Sequence, residues 1–351
     1  MHQALPLGDG DWRGPAADPN LSAAALRARG WCMVAPLPDG AWRWRPVTAE
    51  PGAASAAAAD AVAGLEAARA AHAAPFPPEP RWMGILNLTP DSFSDGGRFS
   101  DGEGRPRRSA LLDAARRMQD QGAAALDLGA ESTRPGAQTV PDAAQMRALL
   151  PALEFVGGLG LPCSVDTRSA RVAEACLDAG AQILNDVSGL TADPGMAPLA
   201  AARGCTTILM HTRGDPANMA AQAHYRHLLG EVADELGLRV QAALRAGMNK
   251  EQIVLDPGIG FAKNAAQSRA LLARCGALRA LGFPLLVGPS RKSFLADLTP
   301  GAAPDQRGAV TLGAAALAAA QGAAWIRLHD GAGWDAVRAA AACARAAREE
   351  A

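Results

Sequence analysis

Residues 82–91 read Trp-Met-Gly-Ile-Leu-Asn-Leu-Thr-Pro-Asp, an apolar run that stops on Asn87 and breaks at a proline turn. This stretch separates two ways of building an α/β protein. An open doubly wound sheet that binds a dinucleotide needs a glycine-rich turn directly after its first strand, and Gly84-Ile85-Leu86-Asn87 is not one. Working outward, the same kind of run recurs at 83–88, 124–128, 163–165, 182–184, 206–210, 253–255, 285–287 and 325–328. Helical stretches lie between and after them, at 109–121, 141–155, 169–179, 196–203, 223–247, 266–281, 305–321 and 333–348. Short buried strands alternating with helices imply a parallel sheet with helical crossovers. Eight such units over roughly 250 residues fit a (β/α)8 TIM barrel. The fold class is therefore α/β, with the barrel on residues 81–351.

Residues 1–80 differ in character, being rich in Ala, Pro and Gly. Inside this N-terminal extension Trp31-Cys32-Met33-Val34 and Ala41-Trp42-Arg43-Trp44 flank Pro38-Asp39-Gly40, which reads as a β-hairpin with a turn at its tip. Residues 51–75 read as an alanine-rich helix or linker. The hairpin would either plug the amino-terminal end of the barrel or join a dimer interface.

Composition narrows the function. A formal net charge of −1 on 351 residues gives no electrostatic reason to expect nucleic acid or an anionic membrane as partner. The six cysteines are scattered with no C-x-x-C pair, so they read as packing residues and not as a zinc knuckle or disulfide framework. No run approaches the roughly 18 apolar residues needed to span a bilayer. The amino terminus carries acids and no continuous apolar segment, unlike a secretory signal. A reducing cytoplasm fits all of these features.

Polar residues cluster where the apolar runs stop: Asn87, Asp127 with Glu131, Asp166, Asn185 with Asp186, His211, Asp256, Gly288, and Arg327 with His329. In a barrel these strand ends converge on one rim, the face that carries active sites. Any single one could simply cap the following helix, as Asp166-Thr167 could before 169–179. The set, with several chemical types meeting, reads as a site. Arg327 and His329 flank Leu328 and so point to the same side. Two such donors can hold a diphosphate, with histidine able to donate a proton to a departing group. Asn87, on the first strand and adjacent to the eighth in a closed barrel, completes that pyrophosphate site.

The wording of the strand ends goes further. Met83 to Gly97, Asp127-Leu128-Gly129-Ala130-Glu131-Ser132-Thr133-Arg134-Pro135-Gly136, Ser164-Val165-Asp166-Thr167, Ile183-Leu184-Asn185-Asp186, Met210-His211, Asp256-Pro257-Gly258-Ile259-Gly260-Phe261, Gly288-Pro289-Ser290-Arg291-Lys292-Ser293 and Arg327-Leu328-His329-Asp330 together resemble dihydropteroate synthase over roughly residues 82–334. The resemblance implies a transferase of folate biosynthesis and a sulfonamide target. Such an enzyme condenses 6-hydroxymethyl-7,8-dihydropterin pyrophosphate with p-aminobenzoate, giving 7,8-dihydropteroate and pyrophosphate. It implies a pterin site of Asp166, Asn185, Met210, Asp256, Gly288 and Lys292, with Asp256 accepting the pterin amino group and ring N–H together. It implies a p-aminobenzoate pocket of Phe93, Thr133, Arg134, Pro135, Phe261 and Ser293, with the short helix near Ser293 facing the carboxylate. Arg327, His329, Lys292 and Asp166 are the catalytic set. Mg²⁺ would arrive with the substrate and touch Asn87, and the protein would be a homodimer through helices late in the barrel.

Three departures from the family pattern stand out: Ile259 within its turn, Gly331 where a branched apolar residue is more usual, which would loosen the end of the last strand, and the extension at residues 1–80. His224 and His227, three apart, lack a third ligand and read as surface or packing residues. Two rivals remain at this point: a methyltransferase carrying methyl from folate to a corrinoid, and an inactive pterin-binding paralogue.

Overall fold

A computed structural model describes residues 31–36, 42–46, 77–89, 99–101, 104–132, 134 and 136–350. In the extension, β1 (Trp31–Pro36) and β2 (Trp42–Pro46) pair antiparallel, with Trp31 opposite Pro46 and an irregularity between Met33 and Ala35. The hairpin read from the sequence is present. Its turn at Pro38 to Gly40, and residues 51–75, lie outside the described residues.

The barrel belongs to the unit formed by Pro75–Arg279 and Phe283–Ala351. Its strands are β3 (Arg81–Asn87), β4 (Ala123–Gly129), β5 (Cys163–Asp166), β6 (Ile183–Asp186), β7 (Thr206–Met210), β8 (Ile253–Asp256), β9 (Leu286–Val287) and β10 (Trp325–Leu328). All neighbours pair parallel, in the order β8-β7-β6-β5-β4-β3-β10-β9. Among the described residues, β8 and β9 meet through one bridge, Leu255 with Leu285, where the Leu255 N–H donates to the Pro284 carbonyl at 2.9 Å. Around the strands lie α1 (Arg108–Asp120), α2 (Asp142–Gly157), α3 (Ala170–Asp178), α4 (Met196–Arg203), α5 (Leu228–Arg245), α6 (Ala265–Leu272), α7 (Gly308–Ala320) and α8 (Trp334–Glu349).

The interior explains how the fold builds a site. Met83, Ala125, Ile183, Ile208, Val254 and Leu286 form one buried cluster, with Trp325 packed against it. Successive side chains of a strand alternate faces, so the residue two positions further on also points inward. Those residues are Ile85, Asp127, Asn185, Met210, Asp256, Gly288 and Arg327. One apolar layer therefore seals the barrel, and the next becomes the polar floor of a pocket.

Three helices differ from the sequence reading. The stretch 223–247 is helical from Leu228 because the Glu231 carboxylate accepts the N–H groups of Arg226 and His227, at 2.8 and 2.9 Å, and fixes the start there. The stretch 266–281 divides into α6 and a 3-10 helix, Cys275–Leu281. Near that break Gly276 lies so close to the Gln321 carbonyl that a Cβ would come within 2.5 Å of its oxygen. The stretch 305–321 likewise divides into a 3-10 turn, Pro304–Gln306, and α7.

Gly331 does not loosen β10. The fully buried Trp82 donates its indole N–H to the Leu328 carbonyl at 3.2 Å and packs on Trp334, ring centroids 6.3 Å apart. A Cβ on Gly331 would come within 2.1 Å of the Trp82 ring, so the indole occupies the space a larger residue would fill.

Candidate active site

At the floor, Arg327 sits between two carboxylates. Its Nε donates to Asp127 Oδ2 at 2.5 Å and its Nη2 to Asp166 Oδ2 at 3.1 Å, while Asn185 Nδ2 donates to the same Asp127 oxygen at 3.0 Å. Burial opposes the Arg327 charge, but Asp127 and Asp166 outweigh it and hold its proton more tightly than usual. Asp166 is pushed up to about 7, by burial first and then by the Asp127 charge, with Arg327 opposing. It does not cap a helix; Ser169 does that, accepting from the Val172 N–H at 3.3 Å.

Across the pocket, Asp256 ends β8 and accepts the Gly258 N–H on Oδ1 at 2.7 Å. The turn reading and the ligand reading of Asp256 are compatible, because each carboxylate oxygen can accept more than one hydrogen bond. Burial raises its pKa, with Lys292 the main opposing charge. Lys292 Nζ donates to the Ile259 carbonyl at 2.6 Å and lies 4.7 Å from the Phe261 ring centroid. Burial lowers it to about 8, opposed by Asp256. Gly288 lies between the two cations: a Cβ there would stand 3.7 Å from Arg327 Cβ and 3.9 Å from Lys292 Nζ.

His329 occupies a third corner. Its Nδ1 lies 2.8 Å from Ser290 Oγ and its Nε2 lies 3.3 Å from Asn87 Nδ2. An amide N–H can only donate, so Nε2 accepts and the proton resides on Nδ1, shared with Ser290. Burial, followed by Arg291, Arg327, Arg134 and Lys292, holds the ring well below its ordinary pKa. Without an anion His329 is a neutral hydrogen-bonding group, and an arriving anion would oppose the surrounding cations.

These residues enclose a cavity of about 530 Å³, lined also by Arg134, Met210, Phe261, Arg291, Ser293 and Arg307. Ser293 opens a 3-10 helix, Ser293–Leu298. The structure thus gathers Asn87, Arg134, Asp166, Asn185, Met210, Asp256, Phe261, Gly288, Lys292, Ser293, Arg327 and His329 around one space. Phe93, Thr133 and Pro135 lie outside the described residues.

Some contributors had no role in the sequence reading. Asp127, fully buried, was one acid among several strand ends, yet it joins Arg327 to Asn185 from beneath the pocket. The alternation counted from Ala125 is the signal that would have found it. Ser290 orients His329, and nothing in the sequence marks it out. Glu131 is structural: it holds Arg168 at 3.1 and 2.9 Å and accepts the Val140 N–H, tying two loops together. His211 is fully buried and faces Lys263 and Glu235, away from the cavity.

Comparison with known proteins follows the same residues. Residues 83–329 match the pterin binding enzyme family. A dihydropteroate synthase of Synechocystis is 43% identical over 249 residues, 71% of this chain and 84% of that protein. Among solved structures, the Yersinia pestis dihydropteroate synthase with a sulfonamide drug superposes with a TM-score of 0.70 at 37% identity, covering 77% of this chain and 95% of that one. The Thermus thermophilus enzyme in complex with 4-aminobenzoate gives 0.66 at 41% identity, over 76% and 95%.

Proposed function

The chain belongs to the dihydropteroate synthase family of pterin-binding enzymes, and we propose how the residues at its barrel mouth divide that work. The protein is a transferase that moves a group other than methyl. It condenses 6-hydroxymethyl-7,8-dihydropterin pyrophosphate with p-aminobenzoate, giving 7,8-dihydropteroate and pyrophosphate for folate synthesis. Its pocket is of the kind that sulfonamides target in this family.

One observation carries the residue assignment: inward-facing Asp256 and Lys292 stand across a cavity whose floor is Asp166, Asn185 and Arg327. The pterin presents an amino group beside a ring N–H, and Asp256 can accept both. Lys292 donates to the ring carbonyl and adjacent nitrogen, exchanging its bond to Ile259. Asn185 and Asp166 meet the other edge of the ring, above the Met210 and Gly288 surface. Arg327, His329 and Asn87 take the diphosphate, and the electrostatic balance that keeps His329 neutral shifts toward protonation as the anion settles. Charge on departing pyrophosphate is then stabilised where it develops. The p-aminobenzoate nitrogen attacks the pterin methylene carbon, aligned by Phe261, Ser293 and Arg134 with Phe93, Thr133 and Pro135. Holding the two reactants together supplies several kcal/mol, up to about 7–11 in favourable cases.

The Asn87 donor set fits a substrate-borne Mg²⁺. An amide side chain carries a carbonyl oxygen, a hard ligand of the kind this ion takes alongside phosphates. Among the described residues no cluster of three or more His, Cys, Asp or Glu could hold an ion alone. Bound there, Mg²⁺ would supply positive charge against the diphosphate oxygens. A homodimer is supported by α7, which carries no charged residue yet exposes Leu317. A reducing cytoplasm is supported by the free, buried Cys163, Cys176, Cys205 and Cys275. Among the described residues no helix is long and apolar enough to cross a membrane.

The test is pyrophosphate release by the purified protein with dihydropterin pyrophosphate and Mg²⁺, with and without p-aminobenzoate. Release should depend on p-aminobenzoate and fall at least about 100-fold in Asp256→Ala, equivalent to about 2.7 kcal/mol of lost charge-assisted bonding. Pterin binding without turnover would refute the assigned reaction and favour an inactive paralogue.

A further inference from the structure

The turn after β8 contributes Asp256, the Ile259 carbonyl that receives Lys292, and the Phe261 ring beside that lysine. It is also an unfavourable piece of backbone. Gly258, Gly260 and Ala262 have φ of 65°, 85° and 49°, in the left-handed region that side chains disfavour. A Cβ on Gly258 would lie 1.9 Å from the His211 carbonyl oxygen, so the turn presses directly on the chain leaving β7. Backbone held this way needs fixing from outside.

Lys263 supplies that fixing. Its side chain turns back under the turn, with the residue only 8% exposed. Its three ammonium protons match three acceptors: the Gly258 carbonyl at 3.0 Å, the Phe261 carbonyl at 2.9 Å and His211 Nδ1 at 2.9 Å. The two carbonyls bracket Ile259. An ammonium cannot accept, so His211 must carry its proton on Nε2, which meets Glu235 Oε2 at 3.1 Å. Arg213 Nε in turn holds both Glu235 oxygens at 3.1 Å. A continuous chain of polar contacts thus runs from α5 to the turn. Lys263 is absent from the cavity wall, and the reaction assigned above gives it no task. Burial lowers its pKa well below the ordinary lysine value, with the Asp256 carboxylate the leading influence that holds the proton on.

We propose that Lys263 is a positioning residue for pterin recognition: by gripping the Gly258 and Phe261 carbonyls from beneath, it holds Asp256 and the Ile259–Phe261 seat of Lys292 in facing register. The role rests on the dihydropteroate synthase reading of the pocket. His211 and Glu235 support it by fixing the direction of the ammonium.

The experiment measures the Kd for dihydropterin pyrophosphate, well below each protein's melting temperature, in wild type, Lys263→Met and Glu235→Gln, alongside p-aminobenzoate-dependent pyrophosphate release. Lys263→Met should raise Kd at least 10-fold in protein that is fully folded by circular dichroism. A merely structural lysine would lower Tm and leave the Kd of the folded fraction unchanged, and that result overturns the proposal. If Lys263→Met does not fold, Glu235→Gln decides. Its side chain is 21% exposed and it weakens the chain one link earlier. A rise of about 3-fold or more in its Kd supports the role, and an unchanged Kd overturns it. Wild-type protein that releases no pyrophosphate would refute the assigned reaction instead, so the two failures are distinguishable.

Discussion

Asp166 and Asp127 stand on neighbouring strands, and their shared cation, Arg327, offsets only part of their repulsion. The folded protein holds the Asp166 proton up to about 7, with burial the main cause. Because its folded pKa lies above the unfolded value, its contribution to stability is full below about pH 4 and is lost as pH rises through about 7. The melting temperature of ligand-free wild type, measured against Asp166→Asn, should therefore fall across that window and level off above it. Each kcal/mol corresponds to about 2–4 °C for chains of 150–250 residues, and somewhat less here. A difference that stays constant with pH would show that Asp166 is already ionised in the free protein. Individual chemistry was legible in the sequence to different degrees. Asp256, Asn185 and Arg327 were readable because each ends an apolar run. Ser290 was not, since its orientation of His329 depends on two strand ends meeting in space.

Elements were legible where period and burial agree. All eight barrel strands lie where short apolar runs predict them, because a strand sealed on both faces has no polar alternation to blur it. Helix limits were less readable. Alanine suits either face of a helix, so 223–247 gave no sign that the Glu231 carboxylate would set the start five residues later. The Trp82–Gly331 contact shows the same limit at the level of pairs, since the two residues are 249 positions apart and neither alone announces the other. Gly331→Val should destabilise the protein by about 1–3 kcal/mol, as overpacking does. Trp82→Leu should cost about as much, through a cavity and the lost bond to Leu328. Together they should cost less than the sum. Thermal denaturation of the four proteins measures this coupling, and simple additivity would refute the proposed exchange of volume.

For the whole molecule, two surfaces matter: the exposed face of α7 and the wall of the barrel. Ala309, Gly313 and Leu317 are spaced four apart on one face of α7, and Leu317 and Leu298 are 40% and 57% exposed. If that face joins two copies, Leu317→Glu should roughly halve the sedimenting mass at micromolar concentration. An unchanged mass would refute association through this face. Barrel class and rim were legible because eight repeats all had to agree, whereas an association surface was not, because the exposed face of α7 has the same alanine-rich composition as its buried face. The wall itself is uneven. β7 and β8 share four paired positions, while among the described residues β8 and β9 meet at a single bridge, Leu255 with Leu285. Asp256 closes one side of this junction, and Gly288 with Lys292 follows on the other. A pterin held by Asp256 and Lys292 therefore crosses the junction and acts as a clasp. The Leu255 amide should exchange with deuterium at least about 10-fold more slowly once pterin is bound, while amides of β4 change little; equal slowing around the barrel would exclude the clasp. On this view the substrate completes the barrel wall, and the ligand-free enzyme should open first between β8 and β9.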